Sequence, residues 1–127
     1  MLKEIVLSII IIVVIFGLDI FTQGYTKNST KEMTEMMTNL KATILNEDKE
    51  KIETSVKEID EKWTNKHDRL AYYIEHDELE KVDTAIVMMK SFLETNDYSS
   101  AVAELDEGKF VLEHIKDKNS FNIQNVF

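Results

Sequence analysis

The three histidines are the residues of this chain best suited to chemistry, because a neutral imidazole binds metals and exchanges protons near neutral pH. They are His67, His76 and His114. Glu80 follows His76 by one helical turn, so these two residues could form a metal pair. A di-metal bundle, however, needs Glu-x-x-His pairs and glutamates from facing helices, and neither these pairs nor His-Glu-x-x-His occur. The sequence therefore predicts no metal site, and His76 and His114 are interpreted as histidines that hydrogen-bond helix ends.

The aromatic residues Trp63, Tyr72 and Tyr73 offer a second kind of site, a ligand pocket between helices. Trp63 lies in the core register of a predicted helix, which favours packing over ligand binding. No glycine-rich phosphate loop, nucleophile elbow or calcium loop is present, and no carboxylate pair is singled out among the many acids. We therefore predict a protein that is not an enzyme and has no cofactor.

Composition narrows the class further. The chain has 127 residues, 24 acidic and 15 basic side chains, a net charge of −9, and neither cysteine nor proline. The missing cysteines exclude disulfides and thiolate metal sites. The acidic balance excludes nucleic acid as a partner, since a phosphate backbone needs a basic patch. The absence of proline favours long uninterrupted helices.

The first 21 residues predict a membrane anchor. From Ile5 to Leu18 every residue except Ser8 and Gly17 is large and apolar, and the apolar stretch extends to Phe21. Each such residue favours insertion by roughly 0.3–0.6 kcal/mol, which outweighs the cost of about 3 kcal/mol for Asp19, a cost that falls near the end of a span. A cleaved signal peptide is the alternative, and a buried strand is disfavoured because no partner strand is predicted.

The predicted orientation rests on the short segment before the span. Lysines stand on both sides, so the positive-inside rule is nearly balanced. A four-residue tail usually stays in the cytoplasm, and we therefore expect a single-pass protein of the cell membrane with the bulk of the chain outside the cytoplasm.

Helical periodicity runs through the rest of the chain and predicts an all-α protein: one N-terminal transmembrane helix followed by an antiparallel bundle of about four helices. Ser29 to Glu32 fits a capping box that would start the first bundle helix. Because only about seven residues separate that helix from the span, the alternative is that the two form one long rod. Asp48, Asp77 and Asp97 are predicted to cap the next three. The apolar stripes contain Met33, Met37, Leu40 and Ile44; Ile52, Val56, Ile59, Trp63, Leu70 and Ile74; Leu79, Val82, Ile86, Met89 and Leu93; and Ala101, Leu105, Gly108, Leu112 and Ile115.

Two further expectations concern the last stripe and the segment after it. Gly108 weakens a helix, so it marks either a close approach of a facing helix or a local weakness. Beyond the stripe, Phe121, Ile123 and Phe127 are expected to dock on the bundle, with a partner-binding tail as the alternative. The resulting organisation is a membrane anchor at 1–21, a juxtamembrane segment at 22–28, a bundle at 29–115 and a docked C-terminal segment at 116–127.

Landmarks in a fixed order cover nearly the whole chain: Asn46-Glu47-Asp48, Lys62-Trp63, Glu75-His76-Asp77-Glu78-Leu79, Leu112-Glu113-His114-Ile115 and Asn125-Val126-Phe127. Together with the N-terminal span, their order and spacing resemble the bacterial family of domain-of-unknown-function 4363. The resemblance implies single-span helical proteins of low-GC Gram-positive bacteria with no assigned activity. Relatives often carry a second tryptophan between Trp63 and His76, where this chain has Tyr72 and Tyr73.

These observations predict a non-enzymatic accessory or interaction subunit of a membrane complex. The lipid bilayer would be its partner through residues 5–21, together with a membrane protein or a second copy of the chain. Trp63, His76, His114 and Phe127 are the candidate interaction or structural residues. The alternatives are an extracytoplasmic ligand-sensing bundle and a secreted helical protein released by signal cleavage.

Overall fold

The computed structural model describes the backbone of residues 1–126 and the side chains of residues 1–120. This part of the chain consists of four α-helices and contains no strand. They are α1 (Leu2–Leu45), α2 (Lys49–Leu70), α3 (His76–Glu94) and α4 (Tyr98–Val126). The predicted all-α bundle is confirmed. The predicted span and the first bundle helix form one helix, α1.

The capping box predicted at Ser29 to Glu32 is wrong, because these residues lie in the middle of α1. The Thr30 hydroxyl donates to the backbone oxygen of Thr26 at 2.8 Å, as a threonine does inside a helix. Glu32 binds Lys62 and Lys66 of α2 instead of an N-terminal amide. With no proline nearby, nothing interrupts the backbone hydrogen bonds between the span and the bundle.

Short turns join the remaining helices, and two of the three predicted caps are confirmed. The Asp48 side chain accepts from the Lys51 amide at 3.3 Å, and Asp97 accepts from the Ser100 amide at 3.2 Å. The predicted cap at Asp77 is wrong, since α3 begins one residue earlier, at His76. No side chain caps α3. At its first turn the amides of Glu78 and Leu79 donate to the backbone oxygen of Glu75.

All four helices contribute buried side chains to one apolar core. Helices α1, α3 and α4 pack closely on one another, while α2 packs mainly on α1. Gly108 marks a close approach of α4 to α1 and α3: a Cβ there would lie 3.2 Å from Met37 Cε and 3.5 Å from Ala85 Cβ. Of the two readings of this glycine, the structure supports the close approach. The completely buried large side chains are Met33, Met37, Leu40, Ile44, Ile59, Leu70, Leu79, Val82, Met89, Leu105, Leu112 and Ile115.

The two ends of the chain extend the bundle in the same direction. The N-terminal half of α1 contains a stretch that is long and apolar enough to cross a membrane, and none of this stretch is buried in the bundle. Such a helix serves as a membrane anchor or as a signal sequence. At the other end, α4 continues through residues 116–126. The predicted docking of Phe121, Ile123 and Phe127 lies outside the described side chains.

Candidate functional site

The core-facing stripe of α1 changes from apolar to polar near the membrane end of the bundle. Met33 begins the apolar part, whereas Thr26, Ser29 and Thr30 are equally buried and carry hydroxyls. Because a buried polar group is costly unless it is hydrogen-bonded, a polar stripe inside a core needs partners on the facing helices. We call this region the polar layer, and define it as Thr26, Ser29, Thr30, Tyr73, Glu78 and Asn119.

Tyr73, in the turn after α2, links that turn to α1. Its hydroxyl lies 2.8 Å from Thr26 Oγ1 and 3.1 Å from the backbone oxygen of Thr22. The Thr26 hydroxyl in turn donates to the same Thr22 oxygen at 2.8 Å. Burial raises the pKa of Tyr73 above its ordinary value of 10.0, since a phenolate is poorly solvated there. Tyr73 therefore acts as a neutral hydrogen-bonding group.

Glu78 is the buried acid of the polar layer and is only 8 % exposed. Its Oε1 has three basic neighbours: His114 Nε2 at 3.8 Å, Lys118 Nζ at 3.9 Å and Lys81 Nζ at 3.9 Å. Its Oε2 is buried and has no hydrogen-bond partner, and the same is true of Asn119 Nδ2. The three basic groups thus lie at one oxygen of the carboxylate, Oε1, and the other oxygen, Oε2, accepts no hydrogen bond.

A cavity of about 80 Å³ is lined by Glu78 and Asn119, together with Tyr73 and Ile115 among others. A water molecule occupies roughly 30 Å³ of liquid, so the cavity has room for about two. Glu78 Oε2 accepts hydrogen bonds and Asn119 Nδ2 donates them. The cavity therefore suits water, or a small group that both donates and accepts.

Trp63 occupies the seam between α2 and α3 and is 4 % exposed, as its core register predicts. Its Nε1 donates to Asp83 Oδ1 at 2.5 Å, and His67 Nε2 lies 3.3 Å from Asp83 Oδ2. Lys90 and Asp60 form a second bridge across the seam. Polar contacts therefore help to hold α2 to α3.

A groove of about 530 Å³ opens in this seam at the end of the bundle far from the span. Four apolar residues form part of its lining: Ile52, Val56, Leu93 and Tyr98. Charges of both signs surround them, on Lys49, Glu53, Lys57, Asp60, Lys90 and Glu94.

The structure separates the other predicted residues. His76 is exposed, with its Nε2 4.0 Å from Glu80, while His114 lies against Glu78. Among the described residues no group of three potential metal ligands is found. Tyr72 is 90 % exposed and Tyr73 is bound to α1, so neither forms a pocket with Trp63. Phe127 lies outside the described residues.

The sequence reasoning missed Glu78, Asn119 and Asp83, although two of them carry a readable signal. Glu78 lies four residues before the core residue Val82, and Asn119 lies four after Ile115, so both occupy core-register positions. A polar residue in a core register is a candidate for a buried polar contact. Asp83 lies next to the apolar stripe of α3, and the spacing of residues along the chain does not indicate that its partner is Trp63 of α2.

A family model described as Domain of unknown function (DUF4363) matches residues 20–126. Neither the curated proteins nor the solved structures contain a match to the chain. The matched region covers the bundle and the last two residues of the apolar stretch.

Proposed function

This chain belongs to the DUF4363 family, and we propose that it is a single-pass membrane-anchored interaction subunit of a membrane complex, without enzymatic activity. The bulk of the chain lies outside the cytoplasm. Its partner is a membrane protein or a second copy of the chain.

The continuity of α1 is the observation that carries this proposal. The apolar stretch from Ile5 to Phe21 continues without a break into the helix that contributes Met33 to Ile44 to the core. Any force on the bundle is therefore transmitted directly to the span. A flexible juxtamembrane linker would tether the bundle to the membrane without orienting it, whereas a continuous helix does both.

The polar layer supports a retained anchor over a cleaved signal peptide. Cleavage before Tyr25 would remove Thr22, whose backbone oxygen accepts from the hydroxyls of Thr26 and Tyr73. It would also place a new, fraying helix terminus one residue before the buried Thr26.

Membrane retention tests the proposal. The untagged full-length chain is expected to sediment with membranes after an alkaline wash and to dissolve only in detergent. The variant Ile11→Lys/Val14→Lys should move to the supernatant, because two charges near the centre of a span cost several kcal/mol. The matched control, Val87→Lys/Phe110→Lys, places the same charges at exposed apolar positions of the bundle and should stay membrane-bound.

Cross-linking tests the interaction role in the same membranes. Because the chain has no cysteine, single cysteines on exposed positions can be coupled to a photo-cross-linker one at a time. Adducts with one membrane protein, or with a second copy, are expected. Wild-type protein in the supernatant, a mature chain that starts at Tyr25, or no adduct from any position would contradict the proposal.

The cavity beside Glu78 favours a second candidate, ligand sensing by the bundle. A ligand that binds the folded state raises the unfolding temperature in proportion to the logarithm of its concentration over Kd. Thermal-shift screening of small polar metabolites against wild-type protein and Glu78→Gln tests this. A stabilising compound that loses its effect in Glu78→Gln would favour sensing, and the absence of any such compound would contradict it.

A further inference from the structure

Three lysines converge on one cleft between α1 and α4. Lys27, Lys31 and Lys116 line this cleft, which has a volume of about 190 Å³. Within residues 1–120 none of the three forms an ion pair. This contrasts with half of the lysines in this acidic chain, which bind carboxylates. The paired lysines are Lys41, Lys51, Lys62, Lys66, Lys81, Lys90 and Lys118.

The register of α1 against α4 places these lysines at one height. The helices are antiparallel, and Gly108 of α4 faces Met37 of α1. Towards the span, Lys116 lies eight residues from Gly108 along α4, and Ser29 lies eight residues from Met37 along α1. Lys116 is therefore level with the middle of the Lys27–Lys31 turn, and the three lysines line the same cleft.

The helix rise places the cleft beside the lipid headgroups. Lys27 and Lys31 follow Phe21 by six and ten residues, which corresponds to about 9 and 15 Å along α1. The headgroup layer extends roughly 5–8 Å beyond the hydrocarbon on each side of a bilayer. Helical side chains lean towards the N-terminus, which here is the membrane, and lysines extend several ångströms to reach polar headgroups.

Two carboxylates also line the cleft, and they lie on its far side. Glu35 is one turn beyond Lys31 along α1, and Glu113 is three residues before Lys116 on α4, so both are farther from the span than the lysines. The cleft thus carries three positive and two negative charges, and its positive end faces the bilayer. A carboxylate at the membrane end would repel an anionic headgroup, and none of the residues that line the cleft places one there.

We propose that this cleft binds the phosphate group of an anionic phospholipid. The inference rests on the proposed membrane anchoring, because only an anchored α1 holds the cleft at headgroup depth. Lysine ammonium groups are strong phosphate ligands, and basic residues next to a span are attracted to anionic lipid over the first Debye length. Bound lipid would fix the rotation of the bundle about α1 relative to the membrane surface.

The test uses the full-length chain in lipid nanodiscs, with unfolding followed by the fluorescence of Trp63. Three conditions are compared: phosphatidylcholine alone, phosphatidylcholine with phosphatidylglycerol, and phosphatidylcholine with inorganic phosphate added to the buffer. We expect the anionic lipid to raise Tm by about 4 °C, a usual response of a domain of this size to modest binding. High salt should reduce the shift, because it screens exposed charges.

Two matched triple variants locate the effect. Lys27→Gln/Lys31→Gln/Lys116→Gln should lose the shift, and the corresponding arginine variant should keep it. Lys49→Gln/Lys57→Gln/Lys109→Gln removes the same charge from lysines without ion-pair partners far from the span and should also keep it.

Each other outcome overturns a defined claim. An equal Tm in neutral and anionic discs, or a shift that survives in the Lys27/Lys31/Lys116 glutamine variant, overturns the lipid site. The same shift with inorganic phosphate overturns lipid as the source of the anion. A chain that inserts in neither disc overturns the proposed anchoring itself, whereas insertion in both with no shift overturns only the cleft.

Discussion

Gly108 shows how one missing methyl group sets the distance between α1 and α4. Its Cα faces the thioether of Met37, which is buried but is also the flexible end of a long side chain. The helix would prefer alanine by about 1 kcal/mol, whereas crowding in a packed core costs roughly 1–3 kcal/mol. These two effects are similar in size, so the size of the substituent decides the sign.

We expect Gly108→Ala to change the free energy of unfolding by less than about 1 kcal/mol, because Met37 can shift, and Gly108→Leu to cost about 3 kcal/mol. Gly24→Ala is the matched control: no atom lies near the added Cβ, so it should stabilise α1 by up to about 1 kcal/mol. Urea unfolding in detergent measures all three. Equal effects of alanine and leucine at position 108 would contradict the close approach.

Tyr73 gives stability a dependence on alkaline pH. Burial raises its pKa above 10.0 in the folded chain, so above pH 10 the unfolded state loses the phenolic proton first. Stability from this group is therefore constant below pH 10 and falls as the pH rises further. The opposite holds for Glu32, whose pKa is held below 4.5 by Lys66 and then by Lys62, so its contribution is lost in acid.

We expect Tyr73→Phe to cost about 1 kcal/mol at pH 8, where it removes the hydrogen bonds to Thr26 and Thr22. The difference from wild type should shrink or reverse above pH 10, since phenylalanine cannot ionise. Urea unfolding at both pH values measures this. Tyr72→Phe is the control, because that side chain is exposed and should leave the pH profile unchanged. Parallel profiles for wild type and Tyr73→Phe would contradict a buried phenol.

At the level of whole elements, α1 matters most because one continuous helix contains both the apolar N-terminal stretch and part of the bundle core. A helix in water is cooperative, and packing of one face stabilises its continuation into the next turn. The stripe from Thr26 to Ile44 is packed against α4 and α2, so helical structure extends from the core back to the span.

Spin labels test this continuity. In the cysteine-free chain, Ser8→Cys and Thr38→Cys are exposed and 30 residues apart on α1, so their separation in nanodiscs should be about 45 Å with a narrow distribution. Asn28→Pro removes a backbone bond between the labels and should shorten or broaden the distribution, whereas Asn28→Ala should not. A broad distribution in the parent chain would show a hinge where the structure has a helix.

Across the whole molecule, stability is distributed unevenly among the helices. All four helices contribute to the apolar core, but α2 packs mainly on α1. Its contacts with α3 include the Trp63–Asp83, His67–Asp83 and Lys90–Asp60 pairs. Elements with fewer buried contacts open at lower free energy. The groove in the α2–α3 seam is therefore bordered by the helix that is easiest to move.

Hydrogen exchange in nanodiscs should show α2 amides opening before those of α3 and α4. Asp83→Ala should accelerate α2 further and cost about 1–3 kcal/mol of stability, because it leaves the indole N–H of Trp63 buried without an acceptor. Glu80→Ala changes an exposed acid on the same helix and serves as the control. Uniform protection in all four helices would contradict this order.

Patterns along the chain were sufficient for the all-α class, the four apolar stripes and two of the three turn caps. These are local properties, because hydrophobic spacing and cap chemistry are read from neighbouring residues. For Gly108 the sequence left a close approach and a local weakness open, and only the packing of α4 decided between them. The predicted helix start at Ser29 was wrong, because a capping box signals a helix terminus only where the preceding chain is not helical. Here the preceding chain is helical, since Thr26 is packed in the bundle and no proline interrupts the backbone hydrogen bonds.

Only packing in three dimensions decided which polar groups meet. Three such contacts join residues that are 20 to 47 positions apart along the chain: Asp83 with Trp63, Tyr73 with Thr26, and Glu78 with His114. A side chain's neighbours on its own helix follow from a 3.6-residue repeat, but its neighbours on another helix depend on the rotation and register of both. For the same reason Lys116 joins Lys27 and Lys31 only after α4 folds back along α1.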